Sequence, residues 1–167
     1  MWRLIGLAVL GLVVVGVGLW LVLLVAMRTK YQPVLTFIRR MNRKVTNPRV
    51  LKTAGQAGSS TAVIHHVGRS TGAPYRTPIG VVDTADGFVV VLPYGTSPDW
   101  LKNVVAAGSA VVEFDGRTHT VNDPEVVGAA EVSAHFSRKD ELVRRLYGVD
   151  QVLVLKRVDA NVAGGVD

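Results

Sequence analysis

The chain has no cysteine among its 167 residues. That excludes disulfides, thiolate zinc sites, a cysteine nucleophile and a lipidated N-terminus that needs a Cys. Charge is scarce too: Asp, Glu, Lys and Arg make up 19% of residues while 49% are apolar, so this is not a disordered composition. There is no G-x-G-x-x-G, so a dinucleotide-binding Rossmann unit is not indicated, and no G-x-S-x-G to make a nucleophile elbow. Ser70 lies in a turn, but nothing marks it as a nucleophile. His65 and His66 are neighbours on a strand-like stretch and point to opposite faces, so they cannot share one ion. His119 and His135 have no H-x-x-x-H partner, and no metal is expected. No internal repeat is visible.

What is present is unevenly placed. The net charge is +6, which by itself suggests nucleic acid or an anionic membrane. Residues 4–27 carry no charge; residues 28–52 hold eight cations and no anion; residues 53–167 hold ten cations and thirteen anions, a net of −3. A mildly acidic body argues against nucleic-acid binding. Twenty-four uncharged residues as a helix reach about 36 Å against a hydrocarbon core of about 30 Å. Trp2 and Trp20 are interface-seeking residues. Val25-Ala26-Met27-Arg28 is a poor signal-cleavage site, so the run reads as a retained single-pass anchor. Gly6, Gly11, Gly16 and Gly18 form no G-x-x-x-G pair and give little support to a homodimer through this helix, which stays open. Only Arg3 precedes the span, whereas Arg28 and Lys30 follow it at once. The cation asymmetry orients the rest of the chain to the cytoplasm at the cell membrane.

The expected division is an anchor over residues 1–30, a basic juxtamembrane segment over 31–52, a folded domain over 53–158 and a loose tail over 159–167. Val34–Val45 reads as a short helix stopped by Asn47-Pro48. Val34, Phe37, Ile38, Met41 and Val45 share a side, and Arg39, Arg40, Arg43 and Lys44 fill most of the remainder. Such a helix suits a lipid interface, with membrane contact over residues 4–45; packing on the domain is the alternative, and the two can coexist.

From Thr61 the period becomes 2. Strands are expected at Thr61–Val67, Arg76–Asp83 and Phe88–Leu92. Ser97 as N-cap, Pro98 at the first position and Asp99 in the first turn open a helix that Gly108 closes, with Trp100, Val104 and Ala107 inward. Ala110–Phe114 and Arg117–Val121 flank Asp115-Gly116, a type I′ hairpin signal. Ser137 and Asp140 form a capping-box variant for a helix to Tyr147, Gly148 stops it, and Gln151–Val158 is a last strand. The order β-β-β-α-β-β-α-β predicts a mainly antiparallel small barrel with flanking helices, an α+β domain.

The turn Gly68–Pro74, with Arg69 and Arg76 at its edges, can form an anion-binding concavity from backbone N–H groups; an ordinary β-turn is the plain alternative. The stretch Gly68-Arg69-Ser70-Thr71-Gly72-Ala73-Pro74-Tyr75-Arg76-Thr77-Pro78 resembles the G-R-[KS]-[ST]-G-x-x-[YR]-R-x-P segment of the deazaflavin-dependent nitroreductase family. Tyr94-Gly95-Thr96-Ser97-Pro98-Asp99-Trp100-Leu101-Lys102-Asn103 is similar to that family's loop into a W-x-x-N helix. The likeness covers about Thr61 to Val158.

The resemblance implies a split β-barrel of the flavin-reductase type and coenzyme F420 as cofactor, with FMN as the alternative. It implies that the coenzyme's phosphate and acidic tail meet Arg69, Ser70, Thr71, Gly72, Ala73, Pro74 and Arg76. The ring would then lie near Leu92, Tyr94, Asp99, Trp100 and Asn103. Ser70 stands where many members carry Lys, which removes one cation from the loop; Arg76 or Lys102 are the candidates to replace it. Hydride transfer needs no protein nucleophile, and Tyr94 and Tyr147 are the candidate proton donors. An anchored domain can reach a lipid-soluble acceptor. The expectation is therefore a membrane-anchored reductase passing hydride to a small-molecule acceptor, a menaquinone-like quinone, with nitroaromatics as a side activity. A non-catalytic barrel that binds flavin, haem or lipid as carrier or sensor is the rival reading.

Overall fold

The computed structural model describes residues 1–158; the expected loose tail lies outside them. Helix α1 spans Trp2–Arg28. Its Leu and Val side chains are exposed along most of its length, and only Ala26 and Met27, at the end, are buried. It is the one helix among the described residues that is long and apolar enough to cross a membrane.

The segment that follows α1 departs from expectation. Helix α2 (Gln32–Met41) continues through a π-helical turn, Asn42–Thr46, into a short α3 (Asn47–Val50). Asn47-Pro48 does not stop it. A proline inside an α-helix lacks its N–H and clashes with the carbonyl four residues back. The wider π turn, closed by Asn47 N–H donating to Asn42 O, makes room for Pro48 at the start of the next helical turn. Fully buried on this segment is Leu35, which the expected apolar side omits, while Phe37, Met41 and Val45 are exposed.

The body is a closed barrel in the order β1-β2-β3-β6-β5-β4, built from β1 (Thr61–Val67), β2 (Pro74–Thr84), β3 (Gly87–Val91), β4 (Ser109–Phe114), β5 (Arg117–Gly128) and β6 (Gln151–Arg157). Every neighbouring pair is antiparallel. Alternating side chains fill the interior, with Ile64, Phe88, Val90, Val112, Val121, Leu153 and Leu155 at its centre. β5 runs beyond the expected Val121 because an irregularity between Asn122 and Glu125, with Asp123 at φ 47, lets the strand bend and resume pairing with β6. A smaller cluster outside the barrel buries Val89, Val152 and Ala129.

Helix α4 (Asp99–Ala107) plugs the barrel with Leu101 and Val104. Pro98, not Ser97, is its N-cap, without a side-chain cap hydrogen bond. Burying Leu101 and Val104 is worth about 3–6 kcal/mol, against about 1 kcal/mol for a missing cap, so packing holds α4. Its buried face is Leu101, Asn103 and Val104; Trp100 is half-buried and Ala107 exposed. Helix α5 (Arg138–Tyr147) has the expected Ser137–Asp140 capping box and ends on Gly148 in the left-handed conformation.

Candidate active site

β1 delivers His66 to the barrel wall and then turns at Gly68, where a side chain would run into Thr71 Oγ1 and the Tyr75 ring. The turn closes on itself. Gly68 N–H donates to Ala73 O, Thr71 and Gly72 N–H both donate to Gly68 O, and Ala73 N–H donates to Thr71 Oγ1. The concavity of outward N–H groups expected for this loop is therefore not formed. Four amides point inward, and Arg69 N–H donates to Asn103 Oδ1 at 3.2 Å. What the loop offers to an anion is the Arg69 side chain and the Ser70 hydroxyl.

Arg69 belongs to a chain of contacts running from the surface inward. Its Nη2 is 3.3 Å from Asp99 Oδ1, and its Nη1 donates to Asn103 Oδ1 at 2.9 Å. Asn103 is 5% exposed, and its Nδ2 lies 3.2 Å from His66 Nδ1; His66 Nε2 is 3.1 Å from Thr77 Oγ1. Because Asn103 Oδ1 already accepts from Arg69, its amide must donate to His66 Nδ1, which leaves the imidazole proton on Nε2, donated to Thr77. Burial lowers the His66 pKa, and the neighbouring His65 lowers it further. A neutral His66, with Tyr75 stacked at 5.6 Å between ring centroids, thus braces Asn103, and Asn103 holds Arg69 in place.

Further cations come from α2 and its π turn. Arg39 Nη1 donates to Ser97 Oγ at 2.6 Å, and Ser97 lies one residue before the Pro98 cap of α4. Arg43 Nη2 is 3.7 Å from Asp99 Oδ2, so Asp99 sits between Arg43 and Arg69. These ion pairs are well exposed and contribute at most about 1 kcal/mol each. An incoming phosphate or carboxylate can replace Asp99 as their partner.

Next to these cations, and sharing Ser97 with them, lies a half-open cavity of about 330 Å³, within the usual range for a small-molecule site. It is lined by Leu92, Tyr94, Ser97 and Asp150, together with Lys30 and Gln32, just after α1. Tyr94 OH accepts a hydrogen bond from Asn42 Nδ2 at 3.2 Å, so its own proton stays available to a ligand.

The structure thus brings Arg69, Asp99 and Asn103 together, and sets Leu92 and Tyr94 in the adjoining cavity. Trp100 packs against the barrel core. Thr71, Gly72, Ala73 and Pro74 shape the loop. Arg76 goes elsewhere: it pairs with Glu113 at 3.2 Å, alongside His65, on the opposite strand face from Tyr75. Lys102 is exposed on α4. Tyr147, the last residue of α5, does not line the cavity. Sequence reasoning missed Lys30, Arg39, Asn42, Arg43 and His66 as site residues. Arg39, Asn42 and Arg43 do share one helical face by their spacing, but which way that face turns is decided by tertiary packing.

A closed antiparallel barrel with exposed guanidinium groups near a half-open cavity is an arrangement that can hold a small anionic cofactor. The chain belongs to the F420H(2)-dependent quinone reductase family, whose profile matches residues 37–160. It is an oxidoreductase, and its cofactor is coenzyme F420. Among solved structures it is similar to an F420-H2 dependent reductase, FDR-A (14% identity, 58% of this chain and 94% of that one, TM-score 0.44). It is likewise similar to the haem storage protein HutZ from Vibrio cholerae (14% identity, 68% of this chain and 90% of that one, TM-score 0.44). No protein of curated function matches the sequence.

Proposed function

We propose that this protein is a membrane-anchored F420-dependent reductase of a lipid-soluble quinone, with α1 as a single-pass anchor and the barrel on the cytoplasmic face. The observation that carries it is the position of the cavity, walled on one side by Lys30 and Gln32, the residues that follow the apolar helix. A quinone headgroup leaving the bilayer near α1 has a short path to it. Exposed Phe37, Met41 and Val45 on α2 and its π turn, with Arg40 and Lys44 between them, suit contact with an anionic lipid surface.

The donor set fits the coenzyme. Arg69 and Arg43, joined by Arg39 and the Ser70 hydroxyl, would hold its phosphate and acidic tail, and the cavity edged by Leu92 and Tyr94 would take the ring. When bound, the reduced coenzyme supplies a hydride. The chain's own work is to fix Arg69 through Asn103 and His66, to line the cavity, and to bring the acceptor's oxygen within reach of a proton donor. Tyr94 is one candidate donor. Nitroaromatics would be accepted as a side activity of the same open cavity.

Replacing Arg69 with Ala tests the anion assignment. Quenching of deazaflavin fluorescence on titration should show coenzyme affinity reduced about tenfold or more, the loss of a charge-assisted contact of about 1.5–3 kcal/mol. Undiminished affinity would place the tail elsewhere.

A further inference from the structure

Resting on the reading that a quinone is reduced in this cavity, we propose that Lys30 is the acid that protonates the reduced quinone's oxygen. Lys30 follows the α1 C-cap Thr29 and adopts φ 53. Tyr31 N–H donates back to Ala26 O at 3.0 Å, the long bond of a cap that ordinarily has glycine at this place. A lysine there costs about 1–2 kcal/mol in backbone strain, and such strain collects where a side chain is held for a task. The strained backbone aims the side chain across to the barrel. Nζ donates to Gly148 O at 2.9 Å and lies 3.4 Å from Pro93 O. An ammonium has three N–H bonds; with two used on carbonyls, one is left for the cavity that Lys30 lines.

The charged and titratable groups nearby divide the roles. Asp150 also lines the cavity and is an anion, unsuited to stabilising a second one. Tyr94 keeps its own proton while accepting from Asn42, but a phenol has no positive charge to set against the oxyanion. Arg28 is held on the carbonyls of Arg145 and Leu146, and Arg144 on Val149 O; Tyr147 precedes Gly148. Lys30 is the cation of the cavity wall and lies beyond the apolar run. Burial lowers its pKa, against an opposing pull from Asp150, which brings the amine closer to the range of an effective acid.

The step balances. The hydride arriving on the quinone brings two electrons and one hydrogen and leaves one oxygen as an anion. A Lys30 N–H bond breaks, an O–H bond forms, and the neutral amine regains a proton from water. The proton remaining from the reduced coenzyme is released to solvent.

The test uses the full chain in lipid nanodiscs with wild type, Lys30→Arg and Lys30→Met. Arginine keeps the charge and has N–H donors for the Gly148 and Pro93 carbonyls but does not release a proton near neutrality. Quinone turnover should fall about 100-fold in Lys30→Arg, with coenzyme affinity by fluorescence unchanged. The wild-type rate should fall as pH rises through the lysine's titration, and this limb should be missing in the variant. On coenzyme-free, 13C-methylated protein, the NMR signal lost in Lys30→Arg should titrate below the other lysines. Wild-type turnover and pH profile in Lys30→Arg would overturn the proposal and leave Lys30 as a structural tie. So would a parallel loss of coenzyme affinity, which would make it a binding residue. A wild-type chain that binds coenzyme and reduces no quinone would show, without any variant, that the quinone reading itself fails, and this proposal with it.

Discussion

His66 has its two ring nitrogens committed in opposite senses, Nδ1 accepting from Asn103 and Nε2 donating to Thr77. A second proton would set an N–H against the Asn103 amide hydrogens. The amide cannot simply turn over, because its oxygen is fixed by Arg69. The folded protein therefore binds the His66 proton less readily than the unfolded chain, in the direction that burial and His65 impose. Stability is then full above the ordinary histidine value of 6.5 and is lost as pH falls below it, at no more than about 1.4 kcal/mol per pH unit for one proton. The loss levels off below the lowered folded value. His119 is shifted in the same sense, chiefly by burial, and will leave a residual slope. Glu141, held to about 2 by hydrogen bonds from Arg144 and Arg145, titrates below this window. Urea unfolding between pH 8 and pH 5 should give a shallower dependence for His66→Gln than for wild type, even if the variant is less stable at pH 8. Superimposable slopes would mean that His66 is not held neutral.

At the scale of elements, the β2–β3 hairpin depends on Gly87. A Cβ there would overlap the Leu155 carbonyl oxygen and approach Arg157 N at 3.0 Å, both on the paired strand β6. Backbone cannot give way as a flexible side chain can, so Gly87→Ala should cost about 3 kcal/mol. Gly80, on β2, has open space where its Cβ would be. Gly80→Ala should change the urea midpoint by the equivalent of about 0.5 kcal/mol or less, and equal effects of the two would contradict the packing described for β6. Elements of this kind were the legible part of the sequence. β1 occupies Thr61–Val67 as its alternation indicates. Asp115 and Gly116 both have positive φ, as a type I′ turn requires, and the Ser137 capping box is formed. These are local effects, decided within a few residues. The failures are of two kinds. Pro48 continues a helix because the adjacent π turn absorbs it, a local geometry that the Asn-Pro pair does not signal. The others are long-range: Arg39 reaches Ser97 over 58 positions, and Arg76 turns to Glu113 over 37. The motif residues Arg69, Asp99 and Asn103 could be picked out by resemblance. His66 could not, since its role comes only from burial beside Asn103.

On the scale of the whole molecule, the basic collar divides into two functions. Arg28 and Lys30 cap the C-terminal end of α5, where carbonyls favour cations, and so bind the foot of α1 to the barrel. Arg39 and Arg43 face the α4 turn. Arg40 and Lys44 stay exposed, with about 1 kcal/mol each available from an anionic surface. On the proposed reading, α1 acts through location rather than through the site. Removing residues 2–20 should leave coenzyme affinity and the rate on a short-chain, water-soluble quinone within about twofold, because Ala26, Met27, Arg28 and Lys30 keep their contacts. The same deletion should lower the rate on a long-chain quinone embedded in vesicles by tenfold or more, since a tether replaces a bimolecular encounter by a high local concentration. Adding Arg40→Gln and Lys44→Gln should weaken the residual vesicle binding of the shortened chain, by about fivefold for each cation lost. A shortened chain that reduced the embedded quinone as fast as the full one would detach the apolar helix from the choice of acceptor, and leave the cavity's nearness to α1 without a functional consequence.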